Sequence, residues 1–134
     1  MICLDNSVLS RFASPESSPS VDVYLKTNSS VPWMIPATVA FEYYSFFDTQ
    51  AEIARQQSNL DSIFDDILPT TDDVATEGAQ IRASLAAQNV TLKTADLLHV
   101  ATAREAGATF VTRDVDDFDK EPILQLLDID ILRS

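Results

Sequence analysis

Four short apolar runs divide the chain: "MICL" at residues 1–4, "WMI" at 33–35, "ATFVT" at 108–112 and "QLLDIDIL" at 125–132. Runs of this length, bounded by capping or turn residues, read as strands, and the stretches between them carry helical spacing. Strands that alternate with helices pair in parallel and need cover on both faces. The expected fold class is therefore α/β, a three-layer α/β/α arrangement with a short central parallel sheet of about four strands. Residues 1–134 are expected to form a single domain, because a chain of this length with 46% hydrophobic residues can bury a sizeable core.

The first run ends in "DNS", a capping set that leads into a helix through "VLSRF". "SPESSPS" predicts a loop, and "VDVYLKTN" sets Val21, Tyr24, Leu25 and Asn28 at helical spacing. Pro36 opens the next helix, where proline is tolerated. Residues 37–68 read as one long helix or two consecutive ones, with Ile53, Leu60, Phe64 and Ile67 as the stripe of the second half. After the break "LPTTDD", the positions Val74, Ile81 and Leu85 mark a helix to Gln88. A last helix is expected from a capping Thr94 to about Ala106, ended by Gly107.

Composition removes several function classes. Two glycines are too few for a phosphate-binding glycine loop or a dinucleotide fingerprint. The single Cys3 allows neither an internal disulfide nor a cysteine zinc site, which points to a reducing cytoplasm. No apolar stretch approaches a membrane span, and the N-terminus lacks the basic region of a secretory signal. Acids outnumber bases 21 to 9, with 15 Asp to 6 Glu and 3 Lys. That balance resembles halophilic proteins, whose self-repelling surface is screened by concentrated salt.

In a parallel sheet, ligands sit beyond the carboxyl ends of the strands. Asp5 ends the first strand and Asp114 lies two residues past the third, so both are expected at one crevice. Each alone reads more simply as a cap or a turn residue. Glu42 is more telling, since it is the only charge in "ATVAFEYYSFF", and a lone carboxylate on an apolar helix needs a partner or a metal. Asp96 occupies the first turn of its helix, where the dipole favours it structurally. Carboxylates meeting at one crevice repel one another. Mg²⁺ or Mn²⁺ would relieve that repulsion and suits phosphodiester hydrolysis.

Other chemistries fit less well. A haloacid-dehalogenase phosphatase needs a second Asp where Ser7 stands, and a receiver domain needs an acidic pair after the first strand. Serine or cysteine hydrolysis would need His99, the only histidine, beside a nucleophile, whereas Cys3 lies within a strand.

Taken in order and spacing, "MICLDNSVLSRF", "IPATVAFEYYSF" and "TADLLHVATAREAGATFVTRDVDDF" resemble the PIN-domain ribonucleases of the VapC toxin type, over essentially the whole chain. The resemblance implies a PIN fold with an acidic quartet at Asp5, Glu42, Asp96 and Asp114, and with Ser7, Thr112 and Asp117 in support. It further implies Mg²⁺ or Mn²⁺, an RNA substrate, a cognate antitoxin protein and a homodimer. Arg11 and Arg113 are the expected RNA contacts, and Arg82, Lys93 and Arg104 are further candidates for a positive rim. Two departures stand out. Asp5-Asn6-Ser7 replaces the common Asp-Thr-Asn, and His99 occupies a position where an aliphatic residue is usual, which reads as a packed or partly exposed structural histidine. The alternative is a catalytically silent PIN-like module that binds protein or RNA; an unpaired Glu42 weighs against it.

Overall fold

The computed structural model describes residues 1–16 and 18–133. Ser17 of the expected loop and Ser134 of the expected domain lie outside them. In chain order the elements are β1 (Ile2–Leu4), α1 (Asn6–Phe12), α2 (Pro19–Thr27), β2 (Trp33–Pro36), α3 (Ala37–Tyr44) and α4 (Gln50–Ile63). There follow β3 (Asp66–Leu68), α5 (Asp72–Ala86), α6 (Thr94–Glu105), β4 (Thr109–Thr112), α7 (Val115–Phe118), α8 (Glu121–Leu126) and β5 (Ile129–Ile131).

Among the described residues five strands, where about four are expected, form a parallel sheet in the order β3-β2-β1-β4-β5. The register places Ile2 beside both Trp33 and Thr109, so β1 lies at the centre. Its alternation decides the layers. Ile2 and Leu4 join a core with Val8, Leu9, Val21, Leu25, Ile35, Val39 and Leu60. Cys3 points the other way, into a core with Val74, Ile81, Leu85, Leu97, Val100 and Phe110. Side chains of period two on a sheet covered twice require such a pair of cores. Burial pushes the Cys3 thiol up to about 12, so it behaves as an inert apolar group.

Several boundaries differ from expectation. The stretch at 37–68 forms two consecutive helices, the second of the two expected readings, but α4 stops at Ile63, where the chain enters β3. Leu60 is buried in α4, but Phe64 is its C-cap in extended geometry and Ile67 belongs to β3, so neither extends the helical stripe. α2 already begins at Pro19, inside the stretch read as loop. Lys93, with no side-chain cap, precedes α6, and Thr94 is its first helical residue. Gly107 does end this helix, at φ 69°, the left-handed region that closes helices. Among the described residues, no helix is long and apolar enough to cross a membrane.

Candidate active site

β1 delivers Asp5 to the carboxyl edge of the sheet, where the residue caps α1 and is buried. Three donors converge on its carboxylate. The Asn6 N–H donates to Oδ1 at 2.8 Å, and the hydroxyls of Ser7 and Thr112 donate to Oδ2 at 3.1 and 2.7 Å. Both hydroxyls are themselves tied to the strand that supplies Asp114. Ser7 Oγ accepts the Arg113 N–H at 2.9 Å, and Thr112 Oγ1 accepts the Asp114 N–H at 3.0 Å. Ser7 and Thr112 thus both hydrogen-bond Asp5 and tie it to the chain around Asp114.

Glu42 reaches the same edge from α3, which follows β2. It is not unpaired, as its sequence context suggests, because His99 Nε2 lies 2.9 Å from its Oε1. The histidine is packed, with no exposed surface, while the Glu42 side chain is 36% exposed. Thr38, one helical turn before Glu42, meets the other ring nitrogen at 2.7 Å. One potential ligand atom from each of Asp5, Glu42 and His99 lies within 4.8 Å of the other two. Sequence reasoning missed this link between α3 and α6. The available signal was a pair of spacings: Thr38 and Glu42 four apart on one helix, Asp96 and His99 three apart on another.

Asp96 and Asp114 stand outside that tight group but belong to its electrostatic neighbourhood. The Asp96 carboxyl is pushed up to about 6, first by burial and then by the charge on Asp5, with Asp117 and Asp114 adding and His99 opposing. Burial also pushes Asp5 up, against the hydrogen bonds from Thr112, Ser7 and Asn6 and the attraction of His99. Asp114 caps α7 by accepting the Asp117 N–H at 3.0 Å, so the turn role of this acidic run and its place at the crevice coincide. Asp117 is raised, foremost by its hydrogen bond with Asp114. Lys93 Nζ lies 3.9 Å from its carboxylate.

The candidate cationic rim is thinner than expected. Arg104 lies at the far end of α6, ~12 Å along the helix from Asp96 at 1.5 Å per residue, and pairs with Glu77 at 3.2 Å. It cannot flank the acids. Arg11 is exposed, 3.8 Å from Glu16, and Arg113 adjoins the site through its own backbone.

The model of the PIN domain family matches residues 2–122. No curated protein sequence gives a significant match. Among solved structures, FitAcB from Neisseria gonorrhoeae is 23% identical, with a TM-score of 0.74 and 96% of each chain covered. A toxin-antitoxin complex from Klebsiella pneumoniae is 20% identical, with a TM-score of 0.75 and coverage of 100% of this chain and 99% of that one. VapC20 of Mycobacterium tuberculosis, described as a sarcin-ricin loop cleaving toxin, is 14% identical, with a TM-score of 0.60 and coverage of 87% and 92%. These proteins share the fold of the chain. With a family match spanning 2–122 and Asp5, Glu42 and Asp96 gathered at the carboxyl edge of a parallel sheet, the chain belongs to the PIN domain family.

Proposed function

We propose that the chain is a metal-dependent endoribonuclease of the VapC toxin type, hydrolysing RNA phosphodiester bonds and neutralised by a cognate antitoxin. The observation that carries this reading is the cluster of desolvated, mutually repelling acids, in which Asp5 is raised by burial and Asp96 is pushed up to about 6. Asp5 is raised by burial and Asp96 by burial and by neighbouring acids, and His99 offsets only part of this, a pattern that is the usual signature of a functional site. The hard oxygen donors fit Mg²⁺ or Mn²⁺. When bound, such an ion supplies Lewis acidity, offsetting charge on phosphoryl oxygens and acidifying water.

Asp5, Glu42, Asp96 and Asp114 would hold the ion and form the catalytic set. Ser7 and Thr112 orient Asp5 through their hydroxyls, and Asp117 donates its N–H to Asp114. Arg11 and Arg113 are proposed to contact RNA phosphates. The proposal extends to residues 1–134 as a single domain acting in the cytoplasm, in a homodimer, under the high salt that a net charge of -12 suits. Support for an antitoxin is that the Klebsiella pneumoniae relative is described as a toxin-antitoxin complex.

A silent PIN-like module is the rival reading, favoured by the charge of -12, which turns most of the surface away from RNA. Incubation of the purified protein with RNA, Mg²⁺ or Mn²⁺ separates the two. The expected result is cleavage that stops in excess EDTA and in Asp5→Asn. Equal cleavage with EDTA would refute the metal mechanism, and a folded protein inert in both metals would establish the silent module.

A further inference from the structure

His99 is fully buried and both of its ring nitrogens have side-chain partners on one helix. Thr38 and Glu42 lie one turn apart on α3, so the ring of His99, projecting from α6, is clamped between two residues of the same helical face. A carboxylate oxygen can only accept. The proton shared with Glu42 Oε1 at 2.9 Å therefore belongs to Nε2, and in the neutral ring Nδ1 accepts the Thr38 hydroxyl at 2.7 Å.

We infer that His99 is a positioning residue, one that aims the Glu42 carboxylate at the acid cluster while Thr38 sets the tautomer of the ring. This rests on the metal-dependent reading of the site. The ring lies close enough to Asp5 and Glu42 to be mistaken for a ligand. Both nitrogens are already engaged, however, so direct coordination would break one of two short hydrogen bonds, one of which orients Glu42. The asymmetry of exposure points the same way. A histidine that served packing alone would be satisfied anywhere in the core, whereas this one is 0% exposed and spends Nε2 on a side chain that is 36% exposed at the crevice. Only Oε1 is needed for that bond, so the second carboxylate oxygen of Glu42 is not consumed by the histidine. Residues that orient a ligand in this way typically account for 10–100-fold in metal affinity.

Mn²⁺ binding to the full chain, followed by electron paramagnetic resonance, tests the inference without relying on activity. His99→Leu keeps the volume and removes the N–H, whereas His99→Gln offers an amide N–H to Glu42. The expected result is a Kd weakened about tenfold in His99→Leu and substantially restored in His99→Gln. A Kd for His99→Leu within about twofold of wild type overturns the inference, and so does an equal loss in both variants, because packing alone would then explain it. Should His99→Leu fail to fold, Thr38→Val decides. Weakening by roughly threefold or more supports the clamp, and a smaller change overturns it. Failure of the wild-type protein to bind Mn²⁺ at all would instead remove the metal-dependent reading and, with it, the role of His99.

Discussion

The Thr112 hydroxyl donates to Asp5 Oδ2 at 2.7 Å across 107 residues of sequence, and it accepts the Asp114 N–H at 3.0 Å in the same network. One side chain therefore fixes the ends of β1 and β4 relative to each other. Thr112 itself is fully buried.

Thr112→Val should consequently lower stability. It preserves shape but leaves the buried Asp5 carboxylate short of a donor and the Asp114 N–H without its acceptor, and stranding such groups costs about 1–3 kcal/mol. Urea unfolding at neutral pH measures this directly. A variant as stable as wild type would mean that water replaces the hydroxyl at no cost.

Asp96 gives the site a pH signature. Its folded-state carboxyl titrates at about 6, above its ordinary range. The native state therefore holds the proton more tightly than the unfolded state, and this group contributes stability at low pH that is lost as pH rises through about 6. Asp96→Asn should accordingly stabilise the metal-free protein at pH 8, by about 1 kcal/mol after allowance for its partly exposed position, and change little near pH 4. If Asp96 were instead a favourable charge at the start of α6, the substitution would destabilise by a few tenths to about 1 kcal/mol at pH 8. Chemical denaturation at the two pH values in EDTA gives opposite signs for the two cases.

Salt should stabilise the fold. The formal charge is -12, and cations that do pair, such as Arg55 with Glu52 and Arg133 with Asp119, do so on the surface. Most acids thus repel across solvent, where the screening length falls from about 10 Å at 0.1 M salt to 3 Å at 1 M. The melting temperature should rise by roughly 4 °C or more between dilute and molar KCl, equivalent to about 1 kcal/mol. A flat or falling curve would contradict adaptation to salt.

Local sequence determined the elements whose signal is local. β1, β2 and β4 were legible because strands buried on both faces must be continuously apolar, and α5 because Val74, Ile81 and Leu85 all face one core. β3 was not. It is a three-residue strand beginning at the exposed Asp66, and as an edge strand it pairs with β2 alone, so neither apolar continuity nor length marks it. The end of α4 at Phe64 was equally hidden, since the apolar spacing runs on past it to Ile67.

At the candidate site, the sequence by itself determined which acids could meet. Asp5 and Asp114 follow parallel strands that sit side by side, and Glu42 is a charge its apolar helix cannot explain. Only tertiary structure decided how they are held. Whether Glu42 is alone depends on the packing of α3 against α6: spacing puts Thr38 and Glu42 on one face of α3 and His99 beside Asp96 on α6, but only the packing brings the two faces into one hydrogen-bonded chain. The same applies to charge. A carboxyl at the start of a helix should be favoured by the dipole, yet Asp96 is raised to about 6, because burial and the charge of Asp5 outweigh that local effect. Hydrogen bonds and repulsions between residues this distant in sequence exist only once the sheet has brought its carboxyl ends together.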